Sequence, residues 1–196
     1  TIPIEREALA RVSAAASPDA IIGSNTSTIP LGTLAEAVVE NSRFLGVHFS
    51  NPAPFIPGVE LIPHGDTDER AIAEVEALLA SAGKSSARIS DAVGFVLNRL
   101  QYALFHEEAA LVEEGLASAD SIDTIVRTTF GFRLPFFGPF AIADMAGLDV
   151  YAMCYRSLQT KFPERFATPD SLRALVEAGK LGTKSGGGFL DVPAER

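Results

Sequence analysis

The sequence predicts an α/β layer followed by an all-helical part. From about residue 5 to 90, short apolar runs alternate with helical patterns. After Asp91 the strand signals almost vanish, so the two characters meet near residue 91. Strand–helix alternation of this kind favours a parallel sheet covered by helices. The expected domains are therefore residues 1–91 and residues 92–196.

The first element is a helix in "EREALARVSAAA", which is rich in helix formers with an apolar stripe at Leu9 and Val12. "AIIGS" is short and β-branched and reads as a buried strand. "PLGTLAEAVV" opens on Pro30, a good first-turn residue, behind a Ser/Thr cluster able to cap it. "RFLGVHF" and "GVELI" are the next strands, separated by the turn "NPAP". "TDERAIAEVEALLASAG" is an amphipathic helix with Thr67 or Asp68 as cap and Gly83 as stop. "SSARIS" is the last strand.

Four helices are expected beyond it. They are "VGFVLNRLQYALFHEEAALVEEG", ending at Gly115; "SADSIDTIVRTTFG", capped by Ser118 or Asp120; "AIADMAGLDVYAMCYRSLQTKF"; and "PDSLRALVEAG". "RLPFFGPF" reads as a proline-broken aromatic loop, and "GTKSGGGFLDV" as a glycine-rich loop with a short apolar tail. There is no internal repeat and no low-complexity run.

Composition narrows the function classes. The chain has 196 residues, 47% hydrophobic and 21% charged, as globular proteins do. Its net charge of -9 argues against nucleic-acid and anionic-membrane partners, which select basic surfaces. Cys154 is the one cysteine, which precludes an internal disulfide. No apolar run reaches transmembrane length. A cytoplasmic protein is expected.

The residues that carry chemistry lie in "GVHFSNPAPFIPGVELI", where two apolar runs each hold one ionisable group, His48 and Glu60. An imidazole, with an unperturbed pKa near about 6.5, is the usual base at neutral pH. His48 falls at the expected C-terminal end of a strand, where α/β sheets bind ligands. Glu60 lies on the returning segment, within reach to fix the imidazole tautomer. A half-buried histidine beside an exposed strand glutamate is the blander alternative. Asn98 interrupts an apolar pattern near the start of a long helix, either facing solvent or presenting an amide to a cleft. A metal site at His48, Glu60 and His64 has no His-x-x-x-His or cysteine cluster behind it. His106 sits on a charged helix face. The phenylalanines at 130, 132, 136, 137 and 140 suit a core or an interface.

An α/β domain of this kind is expected to open with a strand and a glycine-rich turn into a helix, where a dinucleotide pyrophosphate sits. The chain opens at "TIPIE" without G-x-G-x-x-G, and its glycines at 186–188 follow no strand. It reads as starting within a domain.

"SNTSTIPL", "GVHFSNPAP", "VELI", "DAVGFVLNRL", "GFRLPFFGPFAIADMAGLDV" and "GTKSGGGF", in this order, resemble the 3-hydroxyacyl-CoA dehydrogenase family over about residues 5 to 191. The resemblance implies the later part of a Rossmann-like NAD-binding domain joined to a helical domain like that of 6-phosphogluconate dehydrogenase. It implies oxidation of L-3-hydroxyacyl-CoA to 3-ketoacyl-CoA with NAD, and a homodimer through the helical domain. It assigns His48 as base, Glu60 as its orienter, and Ser27 and Asn98 as contacts to substrate oxygens. Ser27 also lies near the nicotinamide, and Asn51 and Lys184 are its further cofactor contacts. Glu5, where relatives often carry lysine, and Ser50, in place of an aromatic, depart from the pattern and leave the acyl chain open. A non-catalytic dimerising scaffold, or a paralogue with another 3-hydroxy substrate, is the alternative. With no glycine-rich turn, the 196 residues alone are expected to bind NAD weakly, to be inactive, and to bare a sheet edge.

Overall fold

The computed structural model describes residues 2–191. The chain divides into two compact units, one running to Leu111 and the other starting at Val112.

In the first unit, helix α1 (Ile2–Ala15) precedes strand β1 (Ile22–Ser24), helix α2 (Leu31–Ala35) and strands β2 (Phe44–Phe49) and β3 (Gly58–Pro63). Helix α3 (Glu69–Ser81), strand β4 (Ser85–Arg88) and helix α4 (Leu97–Glu113), whose last two residues belong to the second unit, complete the run. The sheet order is β1-β2-β3-β4. The expected parallel sheet is corrected here: β1/β2 and β3/β4 are parallel, but β2/β3 is antiparallel. The reason is connection length. Residues 50–57 form a turn too short to carry the crossover that a parallel return needs.

Period-two alternation sends the sheet's side chains to two layers. On one face Phe44 and Ile62 pack with Leu31, Leu34 and Phe95. On the other, Leu45, Val59 and Leu61 pack on Ile72 and Leu79 of α3. Burying each such side chain stabilises the fold by roughly 1.5–3 kcal/mol relative to exposure. Ile21, Val47, Phe49, Val75 and Leu78 line an open cavity of about 360 Å³ on this second face.

Caps set several ends. Asp68 caps α3 by accepting from the Arg70 amide, 2.9 Å. The α2 cap comes from far away in sequence: Asp91 accepts from the Leu31 and Gly32 amides, both at 2.8 Å. The Ser/Thr cluster before Pro30 is thus not what caps α2, which is also shorter than its apolar pattern suggested. Asp91→Ala is expected to destabilise the first unit by about 1–2 kcal/mol, read as a lower urea midpoint at unchanged slope.

The second unit holds α5 (Ala119–Thr128), α6 (Phe130–Arg133), α7 (Pro139–Ala146), α8 (Leu148–Gln159) and α9 (Asp170–Glu177). Ser118 caps α5. The single helix expected over 141–162 is two, because Gly147 sits at φ 99 between α7 and α8. Likewise the long helix expected from Val93 begins only at Leu97, behind Gly94 and Phe95 at φ 77 and 50. Ala143, Leu148 and Leu172 form this unit's core. The glycine-rich tail wraps a buried carboxylate: Asp144 accepts from the Phe189 and Leu190 amides at 3.0 and 2.8 Å. A Cβ on Gly188 would stand 2.1 Å from Asp144 Oδ1, so the tail's glycines serve this close approach. Among the described residues no helix is long and apolar enough to cross a membrane.

Candidate active site

The antiparallel register places His48 directly opposite Glu60 on adjacent strands. Directly paired residues share a face, so the two side chains meet. His48 Nδ1 lies 2.6 Å from Glu60 Oε2, with the side chains 7% and 13% exposed. A carboxylate only accepts, so Nδ1 carries the proton and donates it, leaving the Nε2 lone pair free. The Phe95 ring stands against the imidazole, centroids 5.6 Å apart.

Glu60 does a second job. Its Oε1 accepts from the Val96 and Leu97 amides at 3.0 and 2.9 Å, where α4 begins. These are among the amides a helix leaves unpaired at its N-terminus, and the helix dipole there favours an anion. The carboxylate thus joins β3 to α4 while it holds the imidazole. One position into α4, Asn98 Nδ2 donates to the Ser27 main-chain carbonyl at 2.8 Å. An amide nitrogen has two hydrogens, so one remains for another acceptor. His48, Glu60, Asn98 and Ser27 are therefore gathered around the start of α4, linked by hydrogen bonds.

Ser27 is half-buried in the segment after β1. Asn51 is exposed, just past β2, and precedes a cis bond to Pro52. Residues 51–57 are held from below by Lys84, whose ammonium donates to the carbonyls of Ala53 at 2.5 Å and Ile56 at 2.9 Å. Sequence reasoning missed Lys84, Phe95 and Asp91. None forms a local motif, and Asp91 stood out only as the place where the strand signals end.

Lys184 belongs to the second unit, where its ammonium donates to Asp149 Oδ1 at 2.5 Å. That hydrogen bond holds the Asp149 carboxyl below the ordinary aspartate range. A depressed carboxyl pKa contributes stability above its unfolded value and loses it as pH falls through the folded one. Lys184→Met is expected to return the Asp149 titration toward the ordinary range, followed by carboxyl-carbon NMR against pH. His64 is used structurally: its Nε2 lies 2.8 Å from the Asn41 carbonyl oxygen. Among the described residues no group of three or more His, Cys, Asp or Glu is placed to hold a metal.

A mixed sheet covered by helices, followed by a helical part, and a buried His–carboxylate pair near a strand end together define an α/β-plus-helical protein with a positioned acid–base pair. Two family models match in tandem: the 3-hydroxyacyl-CoA dehydrogenase NAD binding domain over residues 1–92 and the C-terminal domain of that enzyme over 94–192. The chain belongs to the 3-hydroxyacyl-CoA dehydrogenase family. It is 39% identical over 174 residues to a 3-hydroxybutyryl-CoA dehydrogenase of Mycobacterium tuberculosis, covering 88% of this chain and 60% of that protein. A 5-formyl-3-hydroxy-2-methylpyridine 4-carboxylate 5-dehydrogenase of Mesorhizobium japonicum is 35% identical, covering 88% of this chain and 56% of that protein. Among solved structures, the 3-hydroxyacyl-CoA dehydrogenase of Archaeoglobus fulgidus superposes with a TM-score of 0.85 at 31% identity, covering 99% of this chain and 67% of that one. The chain thus spans about 60% of the length of the curated relatives it matches.

Proposed function

We propose that the protein oxidises an L-3-hydroxyacyl-CoA to the 3-ketoacyl-CoA with NAD, as a step of fatty acid β-oxidation or related acyl-CoA metabolism. The observation that carries this reading is the buried contact of 2.6 Å between His48 Nδ1 and Glu60 Oε2 at a strand end. With Nδ1–H committed to Glu60, Nε2 takes the hydroxyl proton as the C3 alcohol becomes a ketone. Glu60 stabilises the imidazolium that forms. Ser27 donates its hydroxyl hydrogen bond to the reacting oxygen, and the second Asn98 amide hydrogen goes to the substrate carbonyl.

NAD, when bound, supplies the acceptor for the hydride that leaves C3. The residues present fit its nicotinamide end. The carboxyl ends of parallel β1 and β2 lead into residues 25–28 and 50–51, the place where such sheets bind ligands. Those two segments are tied together by the Phe49 amide donating to Asn25 Oδ1 at 2.9 Å. Asn51, just past β2, would then contact the nicotinamide end. Among the described residues no strand–glycine-turn–helix cradle is found, and no pyrophosphate contact is assigned.

The test is acetoacetyl-CoA reduction with NADH by the full-length protein, alongside its His48→Gln variant. Turnover that the variant loses is expected. Absence of turnover with 3-ketoacyl-CoA of any chain length would reject the reading. A different 3-hydroxy substrate is the second reading, supported by the similarity to a relative whose name carries no acyl-CoA, so that substrates vary among related proteins. Oxidation of a 3-hydroxy compound without CoA, and of no 3-hydroxyacyl-CoA, would select it.

A homodimer through the helical region completes the proposal, in a cytoplasmic protein without nucleic-acid or membrane partners. No residue of the 17-residue α4 is buried, and Leu100 and Phe105 are 61% and 64% exposed. Phe132, Phe136 and Phe137 line an open apolar cavity of about 400 Å³ in the second unit. Exposed apolar area on this scale marks interfaces. Sedimentation is expected to give a dimer at tens of micromolar, about the scale for even a weak interface; a monomer there rejects it.

A further inference from the structure

We propose that Phe95 is a positioning residue for the His48–Glu60 pair, its ring fixing the imidazole and its left-handed backbone delivering the α4 amides to Glu60. The proposal rests on the reading of His48 as the base. Among the described residues Phe95 is the one non-glycine residue with positive φ, at 50. A bulky side chain does not adopt that region unless its surroundings hold it there. Glycine at this position would take the same turn without strain, and a phenylalanine at ordinary φ would fill the core as well.

Phe95 combines both features beside the candidate site. It follows Gly94 at φ 77, and its amide donates to the Ala92 carbonyl at 3.2 Å, closing the turn. Two successive left-handed residues cannot continue a helix, so the chain reverses before α4 starts. The next two amides, of Val96 and Leu97, then fall on Glu60 Oε1. The ring itself is 2% exposed and tilted 59° against the imidazole, at 5.6 Å between centroids. It restricts rotation of the imidazole, keeps water from the Nδ1–Oε2 contact, and offers a π surface to the imidazolium formed on proton uptake. One residue thereby sets both partners: the imidazole through its side chain, the carboxylate through its backbone.

The test is nitrogen and proton NMR of the His48 ring in the unchanged protein and in Phe95→Leu, with Phe95→Met as the alternative if the first does not fold. A bonded Nδ1 proton and a single tautomer are expected in the unchanged protein. In Phe95→Leu the Nδ1 proton is expected to broaden by exchange with water and both tautomers to appear. There kcat falls about ten-fold with KM little changed, as displacement of a reacting group produces. Phe95→Tyr, which keeps the ring, is expected to retain the proton. An unchanged tautomer and Nδ1 proton in Phe95→Leu, with only a lower melting temperature, overturns the proposal, as does loss of the fold in both variants, because the ring then serves the core alone. The NMR readout needs no turnover. A bonded Nδ1 proton in an unchanged protein that reduces no 3-ketoacyl-CoA rejects the dehydrogenase reading and leaves the Phe95 comparison intact.

Discussion

His48→Gln is expected to lower kcat for 3-hydroxyacyl-CoA oxidation by about 10²–10⁴-fold, the range for loss of a positioned general base. Glutamine suits the test because its amide still donates to Glu60 Oε2. The buried carboxylate therefore keeps a partner, and leaving such a group unsatisfied would cost about 1–3 kcal/mol. Stability should change little while proton transfer is lost. Stopped-flow measurement of NADH formation, beside a urea unfolding curve, checks both. A variant that keeps more than about a tenth of kcat, with chemistry rate-limiting, removes His48 from the base role.

The His–Glu pair was legible because it rests on local pattern: two short apolar runs, a proline-broken turn and one ionisable group on each. The hairpin register did the rest, setting the two residues opposite each other. What escaped sequence reading depends on contacts distant along the chain. Asp91 caps a helix about sixty residues earlier in the chain, with |i−j| of 60 and 59 for its two bonds. Asp144 gathers a tail forty-five residues later, at |i−j| of 45 and 46. The helix breaks at Phe95 and Gly147 were hidden because helical periodicity runs across them, and periodicity registers side chains rather than φ. The parallel-sheet expectation failed at one connection for a related reason. Strand–helix alternation indicates layers, but the direction of each pairing is set by the length of the link, and the link over 50–57 holds no helix. Lys184 stood out by its motif alone, and its bond to Asp149, thirty-five residues earlier, is a contact that no local motif carries.

Glu60 offers a separation of two roles in one carboxylate. In Glu60→Gln, the amide oxygen can keep accepting from Val96 and Leu97, so the start of α4 stays capped. The amide nitrogen then faces His48 Nδ1 and donates to it. Nδ1 becomes the acceptor, the proton moves to Nε2, and the ring presents a donor where a base is needed. Near-normal stability with kcat lowered by up to about 10⁴-fold is the expected result, since reversing the tautomer disables the base without moving it. In Glu60→Ala both functions go. The α4 amides lose their acceptor, costing about 0.5–2 kcal/mol as helix-cap deletions do, and the imidazole loses its orienter. Urea unfolding and single-turnover oxidation on the two variants distinguish these outcomes. Equal stability loss in both would mean that the carboxylate charge, rather than an oxygen acceptor, holds the helix. Full activity in Glu60→Gln would mean that the contact of 2.6 Å holds the sheet together without orienting a catalytic base.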